Sequence, residues 1–271
     1  MSFLNITLGN YYPARSRIHS LDPRLKVASL AVLMILTFAV TEPGAVLLHS
    51  CLAGLCILAS SVPVRIFYRG LRVFLFLFLF TAVLHLFFTP GEPLVSISEP
   101  FRASITREGV VRGLLVSWRL VTVIALSSLL TYTTTPLAIT RALESLLGPL
   151  SRVRFPVQDF SLMMMMSIRF IPVLTSETDR VWKAQRSRGA DLRRGGLRKR
   201  AATLMSIVVP VFTALFRRAD DLALALEARG YVPGGRRTSM HPLAWKGSDT
   251  AALVLVAAWS ATIVVSLLAG R

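Results

Sequence analysis

The sequence predicts an all-α polytopic membrane protein, with about five transmembrane helices and a cytoplasmic domain of long amphipathic helices. Three observations carry that prediction. The 271 residues are 54% hydrophobic and only 17% charged, where soluble domains run near 45–50% and about 25%. The 31 Lys and Arg outnumber the 14 Asp and Glu, for a net charge of +17. The charge is also kept apart from the apolar residues, which come in five runs. In a soluble chain a pI near 11.4 would point to nucleic acid. In a chain this apolar it points to a membrane protein with its basic residues on one side, and sets a soluble nucleic-acid binder aside.

Residues 1–24 hold Arg15, Arg17 and Arg24 but no apolar stretch, so they do not read as a cleavable signal. Tyr11-Tyr12-Pro13 to Leu21-Asp22-Pro23-Arg24 reads as a cytoplasmic or interfacial lead-in, its aromatics suited to the headgroup level. Four spans are expected within 25–132. Leu25–Val40 is short: 16 residues at about 1.5 Å each fall under a ~30 Å hydrocarbon core. Glu42-Pro43-Gly44 turns the chain into a second run, Ala45–Val62, where Cys51 and Cys56 read as small buried hydrophobes rather than a disulfide. Pro63–Gly70 reads as a basic connection, with Arg65 and Arg69. Leu71–Thr89 is the third and most aromatic run, Pro90–Glu108 a polar loop, and Gly109–Thr131 the fourth run. The final span is Thr250–Ala269, within 250–271.

Residues 133–249 form a domain of different character, with 19 Lys and Arg and 9 Asp and Glu in an amphipathic helical pattern. Thr135-Pro136 caps and starts a helix to about Leu147, which Gly148-Pro149 ends. Pro156–Gly189 reads as one long helix, with Pro172 a possible kink. Gly195-Gly196 breaks the chain, and Leu197–Gly230 reads as a second long helix through Pro210. Its apolar stripe, Leu204, Val208, Val211, Leu215, Leu222 and Leu226, wants a partner surface or a lipid interface. Loop charge sets the orientation: residues 1–24, 63–70 and 133–249 sum to +14, whereas 41–44, 90–108 and Arg271 sum to −1. The N-terminus and the basic domain are therefore expected in the cytoplasm and the C-terminus outside.

Both long helices end alike. Asp179 to Gly189 and Asp220 to Gly230 share Asp-x-x-x-x-Ala-x-x-[Ser/Ala]-Arg-Gly, 41 residues apart. Glycine after the last turn is free to take φ > 0, and an arginine there complements the helix dipole. Ordinary capping would explain that much. Small residues one and four positions before each arginine (Ser187 and Ala184, Ala228 and Ala225) also clear one face. The helix end can then enter a groove with Arg188 or Arg229 at its tip, where a guanidinium forms bidentate pairs with carboxylates.

At these residues the chain resembles the transmembrane T component (EcfT/CbiQ family) of energy-coupling-factor, ABC-type transporters. The resemblance extends through Ser20-Leu21-Asp22-Pro23-Arg24-Leu25-Lys26, Leu130-Thr131-Tyr132-Thr133-Thr134-Thr135-Pro136, Arg169-Phe170-Ile171-Pro172 and Ala225-Leu226-Glu227-Ala228-Arg229-Gly230-Tyr231. Ser187 stands where the family's motif has alanine. The resemblance implies a non-catalytic coupling subunit in a bacterial or archaeal cell membrane. Its partners would be two ABC-type ATPases, one membrane-embedded S component and membrane lipid, with no nucleic acid. Docking would use Ala184, Ser187, Arg188 and Gly189 on one ATPase, and Ala225, Ala228, Arg229 and Gly230 on the other. Leu204, Val208, Val211 and Leu215, with Met163–Met166, would suit the S-component platform. ATP and magnesium would sit on the ATPases, with no cofactor on this chain. The cargo would be a vitamin or a trace metal. The lead-in leans to the shared type, with a dedicated cobalt or nickel subunit as the alternative.

No phosphate-binding G-x-x-x-x-G-K-[ST] occurs, no catalytic set is visible, and His19, His49, His85 and His241 lack metal-ligand spacing. His49 and His85 fall in spans, where a hydrogen-bonded structural role is expected. Arg119, seven residues after Arg112, is expected to brace the bundle against a carbonyl or carboxylate, and Asp179 and Asp220 are expected to be structural. A remaining reading has the basic domain binding anionic lipid or RNA. A membrane enzyme fares worst, for want of carboxylates or a Ser/His/Asp set in the spans.

Overall fold

The computed structural model describes residues 11–40, 42–91, 93–96, 104–153, 155–190, 196–235 and 243–269. In chain order these form α1 (Arg17–Ser20), α2 (Pro23–Ala39), α3 (Pro43–Ala59), α4 (Val64–Val73), α5 (Leu75–Phe88), β1 (Pro93–Ser96), β2 (Ser104–Thr106) and α6 (Arg107–Thr133). Then follow α7 (Pro136–Leu146), a 3-10 turn (Gly148–Val153), α8 (Val157–Ser187), α9 (Leu197–Ala228) and α10 (Gly247–Ala269). The all-α reading holds, with one departure: the loop at 90–108 carries a short antiparallel ribbon, β1 with β2.

Local chemistry sets the boundaries. Asp22 caps α2 by accepting the Arg24 N–H at 2.8 Å, with Pro23 in the first helical position. Thr106 caps α6 by accepting from the Gly109 N–H at 3.1 Å, and donates its own proton to the Thr89 carbonyl at 2.8 Å. Pro136 starts α7, and Thr135 accepts from the Ala138 N–H at 3.3 Å. Both α8 and α9 run through their internal prolines, Pro172 and Pro210.

The basic connection expected at 63–70 is instead helical. Residues 64–73 form α4, bent by 56° from α5 at a break on Phe74. Reading that stretch as a loop weighed its arginines by number and overlooked their spacing, which puts Phe67 on the opposite side. Phe67 is 3% exposed and packs with Val62 and Tyr132.

Among the described residues four helices are each long and apolar enough to cross a bilayer: α6, α8, α9 and α10 as far as Ser266. The bent pair α4–α5 qualifies as one more span. The total of up to five agrees with the sequence, but the membership differs, because α8 and α9 qualify and α2 and α3 do not. The latter two have 17 residues each, or about 25 Å.

The described residues fall into two compact units, residues 11–142 with 243–269, and residues 143–235. In the first, α2, α3, α4 and α5 all pack on α6. The closest approach is to α5, where a Cβ on Gly109 would lie 2.7 Å from the His85 carbonyl oxygen and one on Gly113 3.0 Å from that of Ala82. Gly109 and Gly113 make a G-x-x-x-G step that lets the two backbones touch. Ser117, one turn further on, donates to the Phe78 carbonyl at 3.1 Å.

A polar knot ties the start of α2, the end of α6 and the start of α10 together. Asp249 is fully buried; it accepts from the Asp22 N–H at 2.9 Å and from the Lys246 N–H at 2.8 Å. Lys26 Nζ donates to the carbonyls of His19 at 3.0 Å and Thr133 at 3.2 Å. Cys51 and Cys56 are both free; Cys51 is exposed, not buried as expected, and Cys56 is half-buried.

Candidate docking site

The two Arg-Gly repeats end α8 and α9 in one geometry. Arg188 is the C-cap of α8, and Gly189 follows with φ +86°. The Gly189 N–H donates to the Arg186 carbonyl and the Ala190 N–H to the Gln185 carbonyl, each over 3.0 Å. Arg229 caps α9, and Gly230 has φ +73°. The Gly230 N–H donates to the Glu227 carbonyl at 2.9 Å and the Tyr231 N–H to that of Leu226 at 3.0 Å. Each end is a complete Schellman motif. A Cβ on either glycine would meet open space, so glycine is there for its left-handed backbone and not for room.

Ala184, Ser187, Arg188 and Gly189 are all exposed, as are Ala225, Ala228, Arg229 and Gly230. Neither arginine side chain has an ion pair among the described residues. Asp179 is half-buried and Asp220 exposed; among the described residues neither makes a hydrogen bond or ion pair, so no contact speaks to their expected structural role.

The carboxylates that organise this unit are ones that sequence reading passed over. Asp159, in the first turn of α8, accepts from the Tyr231 hydroxyl at 3.0 Å and from the Gly234 N–H at 2.9 Å. Glu177 sits 3.6 Å from Arg180 on its own helix and 3.6 Å from Arg218 on α9. These links advance along α8 while retreating along α9, so the two helices are antiparallel. Arg229 therefore lies near the start of α8 and Arg188 at its end. The 29 residues from Asp159 to Arg188 correspond to roughly 40 Å along a helix. One motif is presented twice, at opposite ends of a helix pair.

Between those ends α9 is charge-free from Ala201 to Phe216. Leu204 and Val208 are exposed there, and Val211 and Leu215 half-buried. The most open apolar row lies one position out of phase: Met205, Val209, Phe212 and Phe216, the last 67% exposed. The Phe212 and Phe216 rings are 6.4 Å apart. The same i, i+4, i+7, i+11 spacing marks this row in the sequence. Met163 and Met164 are exposed on α8.

In the first unit the candidate residues hold the bundle. The Arg119 guanidinium donates through Nη2 to the Val40 carbonyl at the end of α2, while its buried Nε has no partner among the described residues. The Thr37 hydroxyl donates to the Leu33 carbonyl at 2.7 Å and so accepts from His49 Nε2 at 2.9 Å. His49 Nδ1 then accepts from the Trp259 indole at 3.3 Å, which assigns the Nε2–H tautomer. His85 Nδ1 lies 2.9 Å from the Thr81 carbonyl of its own helix. Among the described residues no three His, Cys, Asp or Glu side chains converge on a metal-sized site.

A family model described as a cobalt transport protein, CbiQ, matches residues 14–241. The energy-coupling factor transporter transmembrane protein EcfT of Thermanaerovibrio acidaminovorans is 45% identical over 251 residues, 93% of this chain and 92% of the relative. The EcfT of Heliobacterium modesticaldum is 42% identical, covering 93% and 94%. That of Bacillus subtilis is 36% identical, covering 92% and 94%. The chain belongs to the CbiQ/EcfT family. As a CbiQ/EcfT chain it is a multi-pass membrane protein of the transporter class, the transmembrane component of an energy-coupling-factor transporter. The matched region holds both Arg-Gly ends, Asp22 and Asp159; Asp249 lies beyond it. Local spacing marks Asp249 only as a first-turn acid that accepts from the Lys246 N–H; its second partner, the Asp22 amide, is 227 residues away and no spacing rule points to it.

Proposed function

We propose that this chain couples two ABC-type ATPases to a membrane-embedded, substrate-binding S component, and catalyses nothing itself. The observation that carries the reading is the pair of identical, exposed, arginine-tipped Schellman ends at opposite ends of α8 and α9. A separation of roughly 40 Å suits one site on each of two ATPase subunits. Small residues beside each arginine let the helix end enter a groove, and a guanidinium there can take a carboxylate in bidentate fashion. ATP and magnesium belong to the ATPases in this reading. Movement of those subunits shifts the two ends and, through the helices, the apolar row on α9 that supports the S component.

The reading places α8 and α9 on the cytoplasmic side. Hydropathy alone does not favour that placement; charge supports it. Exposed Arg217, Arg218, Asp220 and Asp221 lie in the C-terminal half of α9, and a charge at mid-bilayer costs about 2.5–3.5 kcal/mol on the insertion scale. The N-terminus falls on the same side and the C-terminus outside. The cargo is a vitamin or a trace metal selected by the S component. The EcfT relatives favour a shared module, and the match to a cobalt-transport model keeps a dedicated cobalt or nickel subunit as the second reading.

The test is charge reversal at both ends. Arg188→Glu with Arg229→Glu should abolish co-purification with the ATPases while the chain still inserts in the membrane. A double variant that assembles and transports normally sinks the docking role.

A further inference from the structure

The short helix α4 takes no part in that coupling reading, yet its surface is sharply divided. Arg65, Arg69 and Arg72 follow one another at i, i+4 and i+7, so they share a face. All three are exposed. They span roughly 10 Å along the axis. None makes a hydrogen bond or ion pair among the described residues. Their own stretch of chain offers no counter-charge, for there is no Asp or Glu from Pro43 to Gly91.

The opposite face is fixed to the bundle. The Phe67 ring meets the Tyr132 ring edge-on, with centroids 5.1 Å apart. Gly70 allows a close approach, since a Cβ there would lie 3.2 Å from the Tyr132 hydroxyl. Tyr132 belongs to the last turn of α6, next to Thr133, whose carbonyl takes the Lys26 ammonium. That places α4 at the level of the polar knot, at the end of the bundle and not in its middle. The 56° bend at Phe74 turns α4 away from the direction of α5. Between the arginine face and the packed face, Val64 and Tyr68 are exposed.

This is the layout of a helix lying in a membrane interface: cations on one side, an aromatic and an aliphatic on the lipid side, and a fixed depth. We propose that α4 is a headgroup ledge, on which Arg65, Arg69 and Arg72 hold the phosphates of anionic phospholipids while Val64 and Tyr68 rest among the upper acyl carbons. A guanidinium takes a phosphate through two parallel N–H donors. Near an anionic surface each basic residue contributes about five-fold to binding at low salt. With no carboxylate neighbour among the described residues, the three arginines gain that attraction without first breaking an ion pair.

Native mass spectrometry of the full chain, titrated with phosphatidylglycerol or phosphatidylcholine, reads the ledge directly. The wild-type chain should retain phosphatidylglycerol in preference to phosphatidylcholine. Arg65→Gln, Arg69→Gln and Arg72→Gln together should lower that preference at least about ten-fold. A charge-matched variant, Arg198→Gln with Lys199→Gln and Arg200→Gln, should keep it. Equal loss in both triple variants would reduce the effect to net charge and overturn the proposal. Retention by the α4 variant would overturn it too. So would loss of assembly with protein partners without any change in lipid preference, which would assign the face to an acidic protein. Should the α4 variant fail to insert, Tyr68→Trp in an otherwise wild-type chain gives a second readout. The quenching that Tyr68→Trp adds to that of the wild-type chain's four tryptophans must be stronger with brominated phosphatidylglycerol than with brominated phosphatidylcholine; an equal increment refutes the ledge.

Discussion

The hydroxyl of Tyr231 donates to the carboxylate of Asp159 over 3.0 Å, tying the residue just after the second Arg-Gly end to the first turn of α8. Among the described residues the first end has no such tie, and Ala190 in the matching place offers no side chain to make one. Tyr231→Phe should therefore loosen the second end alone. A hydrogen bond to a carboxylate is worth about 1.5–3 kcal/mol net, less at this half-exposed position. Amide hydrogen exchange should rise several-fold at Gly230 and Tyr231 and stay unchanged at Gly189 and Ala190. Equal change at both ends would contradict the assignment.

The C′ glycines should respond to backbone chemistry and not to side-chain size. Gly189→Ala and Gly230→Ala each force a Cβ residue to positive φ, at a cost of about 1–2 kcal/mol. Asparagine tolerates that region better, so Gly189→Asn and Gly230→Asn should cost less than alanine despite being larger. Limited proteolysis at the two helix ends ranks the four variants.

The interface of α5 with α6 should behave in the reverse way. Gly109→Ala meets the His85 carbonyl oxygen at 2.7 Å, so the helices must part. Gly54→Ala on α3 meets nothing within 4 Å. Thermal unfolding in detergent should show a clear drop for Gly109→Ala and none for Gly54→Ala. Similar melting of the two would remove the close approach as a source of stability.

His49 is 2% exposed and joins Thr37 on α2 to Trp259 on α10. His49→Leu leaves the half-buried Trp259 N–H without its protein partner, at a cost toward the low end of the about 1–3 kcal/mol of a buried unsatisfied group. His49→Gln keeps a donor and an acceptor and should recover part of the loss. Trp259 fluorescence should shift in His49→Leu and less in His49→Gln.

What the sequence disclosed depended on how local the cause was. The start of α7 and the ends of α8 and α9 were legible, because Thr135-Pro136, Gly189 and Gly230 act within one turn; Asp22-Pro23 is a signal of the same kind, but it was read as part of the lead-in, and α2 begins there, two residues before the expected run. Arg119 was legible as a brace, because a cation inside a span must find an acceptor. The carbonyl of Val40 was not, being 79 residues away. The helix α4 was hidden by its own arginines, whose number suggested a loop while their spacing encoded a face. The row of Met205, Val209, Phe212 and Phe216 was missed because neighbouring stripes on an apolar helix score alike until packing buries one of them. Asp159 and Asp249 looked like two acids in a basic domain, and only the folded chain brings Tyr231 and the Asp22 amide to them.

Arg119 also marks a depth. It meets the end of α2 partway along α6, 12 residues after the first residue of that helix. The α2–α3 turn therefore stops roughly 18 Å short of the far end of α6. The 17-residue α2 and the 27-residue α6 thus end at different levels on that side. Past the turn, α6 keeps α5 as its close neighbour through Gly109 and Gly113. The bundle therefore has two heights, low where α2 meets α3 and tall where α5 and α6 run on together.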